Sequence, residues 1–447
     1  MVDRLKDIKK KILEITQRKL FINTVYSLGG KGIAMVLFML ADILCARLFT
    51  KDEYGEWNFF YAIATMFFWI VGFGISASTK VYAAKVRNDQ QELNKYVNSG
   101  FLLRIIVTVI FIPILLLLGS VFAERLGYPD KYPNLKMLLF LGVFLVAFYT
   151  VNEFCKDTFI AMVKFKNMFW IAVAEYSGYL IWGTVGILLI GGTTGIAIGY
   201  ILALMQCVAI DYWLLHRDGI RLGLNRFADK SNVSTIFNYA LPILFISFGT
   251  LVLTEMDTVM LGIFSPPSEA GIYSIAKKTL SKITHINFAI SSSVMTQFAL
   301  ITKENIEYKK RLYHRVVGMN LMLTMFISMV LLVAGPWGIK VLYGERYAQA
   351  GIVLRMLVPY YFMYGTGLFF SALLDYQEKA NVRSVLYMMM VVLNLIFNYV
   401  LIPRFGAVGA AAATVMAMIP YYLGNMLESH LVFVRIKKCK DTQMKGK

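Results

Sequence analysis

The residues in this chain that could do chemistry are charges placed where charge is costly. Lys31 stands inside "INTVYSLGGKGIAMVLFMLADILCARLF" (residues 22–49), and Lys278, Lys282 and His285 recur at i, i+4, i+7 in "AKKTLSKITH". That spacing puts the last three on one helical face. Carboxylates intrude into apolar stretches as well, at Glu153, Asp157, Glu175, Glu255 and Asp375. Ammonium and imidazolium groups in such places suit an anionic ligand, and phosphate above all. Carboxylates that gain and lose a proton, or hold sodium, suit ion coupling. Other chemistries lack their residues. The four histidines form no H-E-x-x-H, the four cysteines (Cys45, Cys155, Cys207, Cys439) have no metal-ligand spacing, and "GGKGIA" lacks the glycine spacing and hydroxyl of a phosphate-binding loop. No metal site, cofactor or catalytic group is expected.

The elements that carry these residues are membrane helices. The chain has 447 residues, 58% of them hydrophobic and only 16% charged, and its mean hydropathy is +0.61. Stretches of roughly 20 apolar residues, the length a bilayer core of about 30 Å demands of a helix, recur throughout. Twelve spans are expected, at 20–48, 56–78, 99–122, 135–163, 168–190, 195–215, 233–263, 271–300, 316–339, 351–374, 384–402 and 407–430. Lys and Arg concentrate in alternate segments that include both ends of the chain, which places both termini in the cytoplasm of a plasma or inner membrane. No cleavable leader is expected, because the basic start runs into a full-length span. The net charge of +18 is mostly this topology signal. The basic ends "RLKDIKKK" and "RIKKCK" suit anionic lipid headgroups, and the scattered charges do not suit nucleic acid.

An internal repeat organises the spans. "NMFWIAVAEYSGYLIWGTVGILLIGGTTGIAIG" begins at Asn167 and "NVRSVLYMMMVVLNLIFNYVLIPRFGAVGAAAA" at Asn381, and Gly192 and Gly195 fall on Gly406 and Gly409. Asp42 falls on Asp257, Phe49 on Phe264, and Gly55 on Gly271 after one inserted residue. The chain therefore divides into a basic N-terminus (1–19), a six-helix lobe (20–216), a connector (217–232), a second six-helix lobe (233–430) and a basic tail (431–447). Six is even, so both lobes enter the membrane in the same sense, and a pseudo-twofold axis along the membrane normal relates them around an interfacial cavity.

The segments "LPILFISFGTLVLTEMDTVMLGIFSPPSEAGIYSIAKK", "YGERYAQAGIVLRMLVP" and "NYVLIPRFGAVGAAAATVMA" resemble the polysaccharide and O-antigen flippases of the multidrug/oligosaccharidyl-lipid/polysaccharide exporter superfamily. The resemblance covers nearly the whole chain. It implies an all-α integral membrane protein that moves isoprenoid-diphosphate-linked oligosaccharide from the cytoplasmic to the outer leaflet by alternating access, with a coupling ion, proton or sodium, and neighbouring glycan polymerase and glycosyltransferases as further partners. The family often has an arginine after the aspartate found here at Asp257, whereas this chain has Thr258. An ion-coupled multidrug antiporter on the same scaffold is the alternative.

The repeat also sorts the charges. Asp42 and Asp257 are shared by both halves and are expected to brace the scaffold. Lys31 falls on Ile246, and Lys278 and Lys282 fall on Ala62 and Met66, so these cations belong to one half only. Lys31 lies about 16 Å along its helix from Leu20, near mid-membrane. A lysine there costs about 2.5–3.5 kcal/mol on insertion scales and is a functional candidate by default. Glu153 and Asp157, with Lys156 beside them, are open to a second reading in which the three neutralise one another. Arg104 and Arg355, near the ends of their spans, are expected to snorkel. The charge pattern makes a direct prediction: an impermeant thiol reagent labels Cys439 only after the membrane is opened from the cytoplasmic side, and labelling in intact cells would overturn the topology.

Overall fold

The structure, a computed structural model, describes residues 2–125, 130–223, 229–298, 305–377 and 379–445. The side chains of residues 2–20 and 436–445, Cys439 among them, and those of 245–250, Ile246 among them, lie outside the described set. What is described is almost wholly helical. The elements are α1 (Val2–Leu48), α2 (Lys51–Gly72), α3 (Ile75–Lys85), α4 (Gln90–Arg125), α5 (Leu135–Ala161), α6 (Phe165–Leu189), α7 (Gly192–Arg217), α8 (Lys230–Phe264), α9 (Pro267–Val294), α10 (Ile306–Tyr343), α11 (Ala348–Tyr376) and α12 (Ala380–Lys445). Among the described residues, eight helices are long and apolar enough to cross a membrane, or nine if the bent α2–α3 pair is one span. The helix α9 is not one of them, since Lys277, Lys278 and Lys282 interrupt its apolar run.

The backbone breaks at two places within or between the expected spans. The span 56–78 is broken: α2 and α3 meet at 45°. Phe73 (φ 49°) and Gly74 (φ 69°) take left-handed conformations there, which only glycine adopts without cost. A Cβ on Gly74 would also press on the carbonyl oxygen of Ala240. The segments at 384–402 and 407–430 lie in two helices that meet at a kink at Gly406 (φ 53°, ψ −132°), within the continuous stretch Ala380–Lys445 labelled α12. The backbone N–H of Ala407, which opens the second part, donates to Glu269 Oε2 at 2.7 Å. A carboxylate at a helix N-terminus satisfies an otherwise orphaned donor and meets the positive end of the helix dipole.

The chain falls into two compact units, Met1–Phe49 with Ile63–Leu251, and Thr50–Ala62 with Val252–Lys447. In the first unit α6 and α7 form a hairpin whose backbones nearly touch. A Cβ on Gly195 would overlap the carbonyl oxygen of Gly186, and one on Gly199 that of Trp182. Small residues permit such contact, and between membrane helices close packing replaces the hydrophobic drive that water supplies elsewhere. Helix α1 packs along α6, with Phe169 over Gly29 and Gly30. A core of Ala83, Leu93, Val97, Phe154, Phe159 and Leu215 gathers α3, α4, α5 and α7. In the second unit, Phe369, Phe370 and Leu373 of α11 pack with Tyr313 of α10 and Phe433 of α12. The N-terminal part of α2 belongs to this unit. There a Cβ on Gly55 would collide with the carbonyl of Pro267, and Gly271 lies against Tyr54 and Gly55 itself. Gly55→Val therefore drives backbones apart, at a cost of about 1–3 kcal/mol or more. The expected result is a lowered melting temperature and less folded protein in detergent extracts, and wild-type stability would show that the α2–α9 contact is not fixed.

Candidate functional site

In the first unit the charges of α5 organise the interior. Glu153, Lys156 and Asp157 sit on consecutive turns, and each meets a different helix. Glu153 Oε2 accepts from Arg104 Nη2 of α4 at 2.8 Å, Lys156 Nζ donates to Glu175 Oε2 of α6 at 2.7 Å, and Asp157 Oδ1 accepts from Lys80 Nζ of α3 at 2.9 Å. The reading in which the three neutralise one another is thereby corrected. Side chains at i and i+4 on one helix present their charges outward, and here partners on other helices are within reach.

Arg104 is a second correction. It does not snorkel but is fully buried, at 0% exposure. Its guanidinium gives Nη1 to the carbonyl of Gly72 at 2.5 Å and both Nε and Nη2 to the carbonyl of Thr150, at 3.3 and 3.2 Å. Gly72 ends α2, so its carbonyl has no partner within the helix, and in the low dielectric of a membrane such a group must be satisfied by protein. Arg104 thus closes the break between α2 and α3 and ties it to α5. Sequence distance from the span's end did not reveal this, because the acceptors come from a helix break that the sequence shows only as "VGFG".

The sequence-selected cations lie in both units. Lys31, on α1 of the first unit, is exposed between buried Gly30 and Gly32, whose Cβ position faces open space. In the second unit Lys278, Lys282 and His285 follow one another along α9. Lys278 Nζ donates to Asn58 Oδ1 of α2 at 2.7 Å, and lies 5.7 Å from the centre of the Tyr54 ring. Asn58 is itself held, since its Nδ2 donates to the carbonyl of Tyr54 at 2.7 Å. Neighbouring Lys277 donates to the carbonyl of Thr254 and stands 5.8 Å over the Tyr273 ring. The charges of Lys277 and Lys278 act on the half-buried Glu255. Lys282 is half-buried and His285 exposed. Asn58 and Tyr54 were missed by pattern reading, because asparagine and tyrosine carry no periodic signal of their own.

The remaining candidates are placed as follows. Asp257 is buried, and its carboxylate accepts from Tyr273 Oη (2.5 Å), Asn398 Nδ2 (2.6 Å) and Thr414 Oγ1 (3.1 Å), joining α8 and α9 to both parts of α12. Asp42 is buried at the end of α1. Asp375 is exposed and pairs with Arg383 Nη1 at 2.8 Å. Arg355 is exposed and reaches the carbonyl of Leu332 at 2.9 Å. A further buried knot has no acid at all: Asn287 of α9 donates to Asn320 and Thr324 of α10 and accepts from Tyr361 of α11.

An almost wholly helical chain with eight or nine described helices long and apolar enough to cross a membrane is an all-α membrane protein. Solved structures with the same fold include an inward-facing multidrug resistance MATE family transporter of the MOP superfamily (TM-score 0.72, 13% identity, 92% of this chain and 99% of that one). The lipid II flippase MurJ in an inward closed conformation is similar as well (TM-score 0.71, 15% identity, 93% and 90%). The particular family follows from sequence: residues 18–296 match the family described as polysaccharide biosynthesis protein, and the chain belongs to it. The probable low-salt glycan biosynthesis flippase Agl15 of Haloferax volcanii is 24% identical over 209 residues, 46% of this chain, and the match spans less than half (44%) of that relative. The capsular polysaccharide biosynthesis protein CapF of Staphylococcus aureus is 21% identical over 433 residues, 90% of this chain and 98% of CapF.

The ion pairs predict a graded response. Arg104→Leu strands two carbonyls and the Glu153 carboxylate, and costs about 3–5 kcal/mol. Glu153→Gln keeps the carbonyl bonds and costs less. Thermal unfolding in detergent checks the order, and equal losses would contradict the role given to the helix break.

Proposed function

We propose that this protein is a flippase for isoprenoid-diphosphate-linked oligosaccharide in polysaccharide biosynthesis, and that Lys31, Lys278, Lys282 and His285 supply the positive charge that meets the diphosphate. The observation that carries the substrate class is the family match, together with two relatives whose names place them in glycan or capsule biosynthesis. The chemistry of the cations supports it. A diphosphate headgroup is anionic and strongly hydrated, so carrying it through a region of low dielectric demands cationic groups that replace water. Asn58 and Tyr54 help to position the Lys278 ammonium. A drug antiporter for cations would instead favour acidic and aromatic groups.

The finer architecture belongs to the same reading. Twelve spans in two six-helix lobes, with boundaries at 20–216 and 233–430 and both termini cytoplasmic, account for the repeat. The two glycine turns support it: Gly192 and Gly406 both have positive φ at the start of a helical segment. Asp42 and Asp257 then serve the scaffold, and Glu153, Asp157, Glu175, Glu255 and Asp375 are the carboxylates available to a coupling proton or sodium ion. Lipid-linked glycan, membrane lipids and the enzymes that build and polymerise the glycan are the partners this function entails.

The test is charge removal with length preserved. Lys31→Gln and Lys282→Gln are each expected to reduce flipping at least tenfold, read as lipid-diphosphate-linked saccharide left in the cytoplasmic leaflet, with the amount of inserted protein unchanged. Arginine at either position restores part of the activity, because it restores the charge though not the geometry. Normal surface glycan in both glutamine variants sinks the cationic reading, and new drug sensitivity with unchanged glycan on deletion favours the antiporter.

A further inference from the structure

The first unit buries a carboxylate with no hydrogen-bond partner among the described residues: Asp211 of α7 has 0% exposure, and neither of its oxygens has such a partner. The charged groups that act on it are Lys156 of α5 and Glu175 of α6, the two ends of a 2.7 Å ion pair. The other titratable neighbours are thiols: Asp211 and Lys156 both act on Cys155, and Asp211, Glu175 and Lys156 act on Cys207, one helical turn from Asp211. Glu175 is fully served, since its second oxygen accepts from Tyr179 Oη at 3.3 Å. Two carboxyls therefore share one ammonium, and the ammonium is already engaged.

A bare carboxylate in such surroundings costs several kcal/mol, so a cation has to complete the cluster. We propose that Asp211 is a proton-binding site, and that its proton governs which carboxyl holds Lys156. Calcium and magnesium take six or more oxygen ligands, whereas the titratable groups that interact with Asp211 are one ammonium, one carboxyl already paired with it, and two thiols. A proton needs only the carboxyl oxygen itself. With the O–H bond formed, Asp211 is neutral and Lys156 pairs with Glu175, joining α5 to α6. When that bond breaks and the proton leaves to water, the cluster holds two carboxylates and one ammonium. Lys156 is then drawn toward α7. Binding and release at one atom thus shift an ion pair between two helices, a two-state element of the kind that ion coupling requires. The assignment rests on this cluster alone and does not depend on the substrate proposed above.

Infrared difference spectroscopy on the purified full-length protein in lipid tests it, with pH as the only variable and no substrate present. Wild-type protein is expected to show the C=O stretch of a protonated carboxylic acid at neutral pH, downshifted in heavy water and lost when the pH is raised. Asp211→Asn, which copies the shape of the protonated acid, lacks that band. Glu175→Gln frees Lys156 to pair with Asp211, so the band at neutral pH weakens although Asp211 is still present. A band that persists in Asp211→Asn, or that is absent from the wild type, overturns the proposal. An unchanged band in Glu175→Gln overturns the switch of Lys156.

Discussion

The constraint on which the structure depends is that a charge surrounded by protein and lipid must find a partner nearby. In the first unit the solution is distributed. The helix α5 carries three charges on adjacent turns and sends each to a different neighbour, so α3, α4 and α6 are all referred to one helix. Pairing of this kind adds little net stability compared with an apolar interior, but mismatching it is expensive. Ion pairs therefore select one arrangement of helices among many that would bury apolar surface equally well.

The second unit reaches the same end with hydrogen bonds. Asp257 collects three donors from α9 and α12, and Asn287 ties α9 to α10 and α11 through amides and hydroxyls. Its cations are treated differently. Lys277 and Lys278 meet a carbonyl, an amide and aromatic rings, and their charges also act on Glu255.

Much of the fold was legible because a bilayer imposes a length and a hydropathy that show directly in composition. The glycine pattern was legible too. Gly195 and Gly55 sit at backbone contacts, and Gly192 and Gly406 start helical segments. The break at Phe73 and Gly74 was not, because the apolar run continues through it, and with it went the burial of Arg104. Partners separated by many residues were also hidden: sequence spacing paired Glu153 and Asp157 with Lys156, while space paired them with Arg104 and Lys80. Lys31, Lys278 and Lys282 stood out only because the repeat supplied an apolar counterpart for each. Asp211 gave no signal at all, being one acid near the end of an apolar helix, and what marks it is that it is buried with no hydrogen-bond partner among the described residues.

The three donors to Asp257 are far apart in the chain. Tyr273 follows it by 16 residues, but Asn398 follows by 141 and Thr414 by 157. At ribosomal speeds of about 5–20 residues per second, the aspartate precedes its amide partner by roughly 7–30 s. During that interval the nascent helix presents its carboxylate with a single tyrosine hydroxyl to serve it. The C-terminal half is therefore committed to a period of incomplete assembly whose length is set by translation, and α8 has to be sheltered by the insertion machinery until the last two helical segments arrive. Slowing the ribosome between α9 and α12 lengthens that exposure, so synonymous codon choice in that region bears on the yield of folded protein.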